Sequence, residues 1–176
     1  MTGTNVGGRE GRSHFEDFRG GNLPDPYISS KGLPEPTICP ICSAVYHKKR
    51  WTFDSKLLAE AKKNKNVTYN KCPADRKIED RYAMGKVLLS GSFIMEHMDE
   101  LMNIIKSEER RAKENNPLDR LIFVEKRNGG IYAETTSDAL AMRIGHHLKQ
   151  AYKGGEENFK FRRGDKFVEI DWHKDI

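Results

Sequence analysis

The chain contains three cysteines, and all three fall in two short, matching motifs. Cys39-Pro-Ile-Cys42 is followed, after 29 intervening residues, by Cys72-Pro-Ala-Asp75. A Cys-Pro-x-x turn aims its first and fourth side chains at one point, and its amides can hydrogen-bond the sulfurs and stabilise thiolates. Two such turns facing each other offer four ligand atoms, which suits Zn2+, an ion that takes four tetrahedral ligands and favours thiolate. A small loop-rich module also needs a metal to fold. The spacing therefore predicts a structural metal site of Cys39, Cys42, Cys72 and Asp75, the carboxylate standing in for a fourth thiolate as a harder ligand. His47, five residues after Cys42, is the competing fourth ligand, and buried thiols without a metal are the remaining alternative.

Other chemistry is poorly served. A catalytic zinc would need a general base, and no nearby Glu or His stands in a recognisable base motif. A redox dithiol at Cys39 and Cys42 would open a helix directly after a strand, whereas this motif follows proline-rich coil. The sequence has no P-loop, nucleophile elbow or dinucleotide fingerprint. The expectation is a protein without enzymatic activity.

The surroundings of the cysteines are basic and aromatic: Tyr46, His47, Lys48, Lys49, Arg50 and Trp51 after the first motif, Arg76, Lys77 and Arg81 after the second. Cations interleaved with aromatics suit phosphate contact and base stacking. The net charge of +5 is concentrated here, since residues 37–81 carry +6, residues 1–36 carry −1, and residues 82–176 are neutral. A single-sign patch confined to one module points to a polyanion, most often nucleic acid. Tyr46, Lys48, Lys49, Arg50, Trp51, Arg76 and Lys77 are thus the predicted RNA-binding residues. In the bland alternative, Tyr46 and Trp51 roof the metal while the lysines face water.

The elements that must hold these residues divide the chain into three. Residues 1–36, with two Gly-Gly pairs and four prolines between Pro24 and Pro36, predict a disordered arm. Residues 37–81 form the basic zinc module, a treble- or ribbon-like zinc knuckle with one short helix capped by Asp54 or Ser55. Residues 82–176 alternate regularly. A strand over 84–90 leads to a long helix capped by Ser92 and stopped before Pro117. A hairpin through Asn128-Gly129-Gly130 and a helix capped by Thr136 or Ser137 follow, and a second hairpin turns at Gly164-Asp165. The order is βαββαβ with an extra C-terminal strand, an α+β, ferredoxin-like antiparallel sheet with both helices on one face. No apolar run is long enough to span a membrane and the N-terminus has no signal core, so a cytoplasmic protein is expected.

The segments Leu33-Pro-Glu-Pro-Thr-Ile-Cys-Pro-Ile-Cys42, Ala44-Val-Tyr-His-Lys-Lys-Arg-Trp51, Cys72-Pro and Val87-Leu-Leu-Ser-Gly-Ser-Phe93 resemble a family of small bacterial NMD-type proteins labelled for ribosome stability and mRNA decay. These are similar to part of the archaeal and eukaryotic NMD adaptor of the large ribosomal subunit. The resemblance covers residues 33–176 and is most specific over 37–93. It implies a zinc-binding protein associated with the ribosome or ribosomal RNA, the large subunit favoured, with no catalytic activity. The family pattern has a cysteine where this chain has Asp75. The alternatives are an adaptor that binds a protein partner through the α+β domain, and a metal-dependent hydrolase.

Overall fold

A computed structural model describes residues 24–176, in which five helices and nine strands form two mixed sheets. The small first sheet contains β1 (Thr37–Ile38), β2 (Val45–His47), β3 (Arg50–Thr52) and β4 (Thr68–Tyr69), in the order β3-β2-β1-β4. β1 pairs antiparallel with β2 and parallel with β4. Two helices complete this half. In α1 (Ser55–Lys63), the Asp54 carboxylate accepts the N–H groups of Lys56 and Leu57, as its position before the helix predicts. α2 (Pro73–Asp80) has no counterpart in the expected elements, because its cap is the Cys72 thiol rather than a hydroxyl or carboxylate. Pro73 suits the first helical turn, where no N–H is needed, and Arg81 ends the helix in a left-handed conformation.

The second sheet comprises β5 (Gly85–Ser90), β6 (Leu121–Arg127), β7 (Gly130–Thr135), β8 (Glu156–Phe161) and β9 (Val168–His173), in the order β6-β7-β5-β9-β8. β9 pairs parallel with β5, so the sheet is mixed and not antiparallel as expected. The last strand is inserted beside β5 and sends β8 to the edge, rather than being appended outside a four-stranded sheet. The inserted position suits Trp172, which is fully buried there.

The expected long helix is two, α3 (Ser92–Glu96) and α4 (Met98–Asn115), because His97 leaves the helical conformation between them. Ser92 is the first helical residue rather than the cap: Gly91 precedes it without a side chain to accept, and Asp175, from the far end of the chain, accepts from the Ser92 N–H at 2.8 Å instead. α5 (Asp138–Ala151) is capped by Ser137. Leu101 and Ile105 of α4, and Leu140, Ile144 and Leu148 of α5, join Val87, Leu89, Ile170 and Trp172 in one core. Helices and apolar strand residues thus share one face of the sheet.

Residues 24–36 are packed rather than unstructured. Tyr27 lies against Tyr82 and under the Arg76 guanidinium, Asp25 pairs with Lys77, and Leu33 packs against the cysteine cluster. These contacts are distant in sequence, so local composition gave no sign of them. The remainder of the predicted arm, residues 1–23, lies outside the described residues.

Candidate metal centre

The turn after β1 is closed by two hydrogen bonds. The Cys39 N–H donates to the Ala44 carbonyl at 2.8 Å, and the Ser43 N–H to the Cys39 carbonyl at 3.0 Å, with Ser43 left-handed at φ 63°. The turn brings the N–H groups of Ile41 and Cys42 to the Cys39 sulfur and that of Ala44 to the Cys42 sulfur. The second motif enters α2, where the Asp75 N–H donates to Cys72 Sγ at 3.4 Å. The Cys72 N–H crosses to Cys39 Sγ at 3.3 Å. Both turns therefore use backbone donors to stabilise sulfur charge.

One ligand atom from each of Cys39, Cys42, Cys72 and Asp75 lies within 4.8 Å of all the others. Cys42 Sγ and Cys72 Sγ are 3.7 Å apart, matching the edge of about 3.8 Å expected for two sulfurs tetrahedrally bound to one zinc ion. Asp75 Oδ2 accepts from the Cys39 and Cys72 thiols at 3.1 and 3.2 Å, so one carboxylate oxygen faces the sulfurs. Three residues of the set are buried and Cys42 half-buried. The donor set of three soft sulfurs and one oxygen fits zinc. His47 lies elsewhere, with its Nδ1 3.7 Å from Glu35.

The electrostatics favour charged ligands at two positions. The hydrogen bond with Cys72 brings the Cys42 thiol down to about 7. That same bond, with burial, pushes Cys72 up, and burial raises Cys39. Burial opposes charge on Asp75, but the thiol donors and Arg120 outweigh it and hold the carboxyl below its usual range. Arg120 was not among the sequence candidates. It precedes β6, far from the cysteines in sequence, yet its Nη1 lies 3.7 Å from Asp75 Oδ1, the oxygen turned away from the sulfurs. Its Nε and Nη1 are buried with no hydrogen-bond partner among the described residues. Its Nε also lies 3.6 Å from Glu109 Oε1, so two carboxylates flank the guanidinium, and a divalent ion held by three thiolates and Asp75 would add net negative charge beside it.

The predicted RNA-binding residues separate into two groups. Lys48, Lys49 and Arg50 are exposed at the β2–β3 turn. Lys48 and Lys49 are both left-handed, at φ 49° and 61°, positions normally filled by Asn and Gly. Glu35 holds them there, its two carboxylate oxygens accepting their N–H groups at 2.8 and 2.9 Å. Arg76 is exposed on α2. Three expectations need correction. Lys77 is 2 % exposed. Its amine donates to Met84 Sδ and the Thr136 carbonyl at 2.9 Å and pairs with Asp25, so it has no access to phosphate. Tyr46 and Trp51 are buried against each other and pack with Cys39, Cys72 and Ala74, so they roof the centre rather than standing free in solvent as stacking platforms, though both border the cleft beside it.

No protein-family model, curated protein or solved structure matches this chain. Among the described residues, no helix is long and apolar enough to cross a membrane.

Proposed function

We propose that this is a non-enzymatic, NMD-like cytoplasmic protein in which zinc folds a basic, knuckle-like module that associates with ribosomal RNA or the ribosome, the large subunit first. The second sheet, read as a ferredoxin-like scaffold with an inserted strand, carries the module. The observation that supports this reading is the β2–β3 turn, where Lys48 and Lys49 occupy conformations unfavourable to lysine and are pinned there by Glu35. Strained backbone persists where the surroundings enforce it and is concentrated at functional sites. A solvated lysine face has no need of it.

The test is sedimentation of the tagged protein from fresh lysate through sucrose gradients at low and high salt. Co-migration with the large subunit or whole ribosome at low salt, lost at high salt, is the expected result, because phosphate contacts release counterions. The triple change Lys48/Lys49/Arg50→Ala should abolish it. Sedimentation at the top of the gradient in both salts refutes the reading. Capture of a protein partner insensitive to ionic strength would instead favour an adaptor acting through the second sheet.

A further inference from the structure

Beside the metal centre lies a cleft of about 550 Å³, between the segment after Pro24, the β2–β3 turn, the start of α2 and the end of α4. Its lining carries five cations, Lys31, Lys49, Arg50, Lys71 and Arg76, and no carboxylate. Lys71 is paired with Glu79 outside the lining at 2.6 Å, and Arg76 lies over the Tyr27 ring at 5.1 Å. Lys31, Lys49 and Arg50 have no carboxylate within ion-pair distance among the described residues. Like charges converging on a recess with low-dielectric walls focus a positive potential that an anion relieves.

Charge is only half of the lining. Tyr27, Leu33 and Trp51 supply apolar wall, while Asn70 and Asn115 bring side-chain amides. The volume lies within the range of small-molecule sites. A purely ionic ligand such as phosphate would leave the apolar wall and amides unused, whereas a base attached to a ribose phosphate engages all three. Duplex RNA keeps its bases stacked inside the helix and cannot place one in a recess; an unpaired nucleotide can.

We infer that this cleft is the site of an unpaired nucleotide of an RNA strand, its base in the recess between the Tyr27 and Asn115 sides and its phosphates on Lys49, Arg50 and Lys31. The assignment rests on the proposed RNA association and specifies the form of RNA and the place where it is held. Lys31, Lys71 and Asn115 enter the site only through the tertiary structure.

The test titrates the full chain with single-stranded octauridylate, an RNA duplex of equal length, and UMP, following tryptophan emission. Trp51 borders the cleft, and Trp172, fully buried in the other core, contributes a constant background. Octauridylate should quench the emission and bind at least about tenfold more tightly than the duplex or UMP. Lys49→Gln/Arg50→Gln should weaken binding about tenfold, while Lys62→Gln/Lys63→Gln, which removes the same charge from exposed α1 outside the cleft, should cost less than about twofold. Lys31→Gln/Lys71→Gln, away from the strained turn, repeats the test should the first pair disturb folding. Equal losses in cleft and control pairs, duplex binding as tight as the single strand, or UMP as tight as octauridylate would each overturn the assignment. Gradients separate it from the broader reading. A cleft variant that still sediments with ribosomes while wild type shows no octauridylate binding overturns the cleft alone. Octauridylate binding by these criteria without wild-type sedimentation overturns the ribosome reading alone.

Discussion

At the scale of single residues, the candidate metal centre turns on Asp75 and the arginine behind it. Asp75 presents Oδ2 to the sulfurs and Oδ1 to Arg120, an arrangement in which an outer partner orients a ligand. Outer partners of this kind typically change metal affinity 10- to 100-fold. Arg120→Leu should therefore weaken zinc binding about tenfold in competition with a chromophoric chelator, with unchanged stoichiometry. Unchanged affinity would mean that Arg120 is only a packing residue. Asp75→Cys should retain one zinc per chain by elemental analysis and bind it more tightly, while Cys72→Ser should lose the metal yet keep the α2 cap, since a serine hydroxyl accepts the same N–H. Full metal content in Cys72→Ser would exclude this ligand set.

At the scale of elements, the β2–β3 turn and the α4–α5 pair make opposite use of their residues. The turn holds lysines where Asn and Gly would be relaxed, so Lys48→Asn/Lys49→Gly should stabilise the protein by about 1 kcal/mol and diminish the proposed RNA binding. A thermal scan with a parallel binding titration checks both, and a loss of stability would show that the turn is not strained. The helix pair instead buries Glu108, which is 3 % exposed and accepts from Arg111 and Arg143 at 2.8 Å, with His147 Nδ1 at 2.9 Å. Burial opposes its charge, but Arg143, His147 and Arg111 prevail and hold the carboxyl below the usual range. A carboxyl lowered in the folded state adds stability above its ordinary value, near 4.3, and loses it as pH falls through the folded value. Glu108→Gln should cost about 1–3 kcal/mol at pH 7. That deficit relative to wild type should shrink below about pH 4 in denaturant titrations. A difference independent of pH would assign the cost to packing alone.

At the scale of the whole molecule, two cations tie the halves together. Lys77 on α2 reaches Asp25, Met84 ahead of β5 and the Thr136 carbonyl ahead of α5, and Arg120 reaches back to Asp75. Burial lowers Lys77 against the pull of Asp25. Lys77→Met leaves the Asp25 charge unpaired and should cost about 3 kcal/mol, yet leave RNA affinity per folded molecule unaltered. A loss of affinity exceeding the loss of folded protein would restore Lys77 to the binding surface.

Much of this was legible in local pattern. The paired Cys-Pro turns specify their ligands because four-residue geometry is decided by neighbours in sequence, and the distances among Cys39, Cys42, Cys72 and Asp75 fit a metal site. Asp54, Ser137 and the Asn128-Gly129 turn act where their side chains or backbone freedom lead one to expect. Hydrophobic period located the core helices. The tertiary structure alone decided what depends on contacts between distant segments. It inserted β9 beside β5, broke the long helix at His97, and buried Lys77, Tyr46 and Trp51, three residues whose types suggest a wet surface. It also brought Glu35 to the lysine turn and Arg120 to Asp75. Residue type and spacing determine which groups can bind a metal or an anion; whether a given cation faces solvent or a buried carboxylate is settled by packing, where desolvation and pairing act between residues that the chain itself keeps far apart.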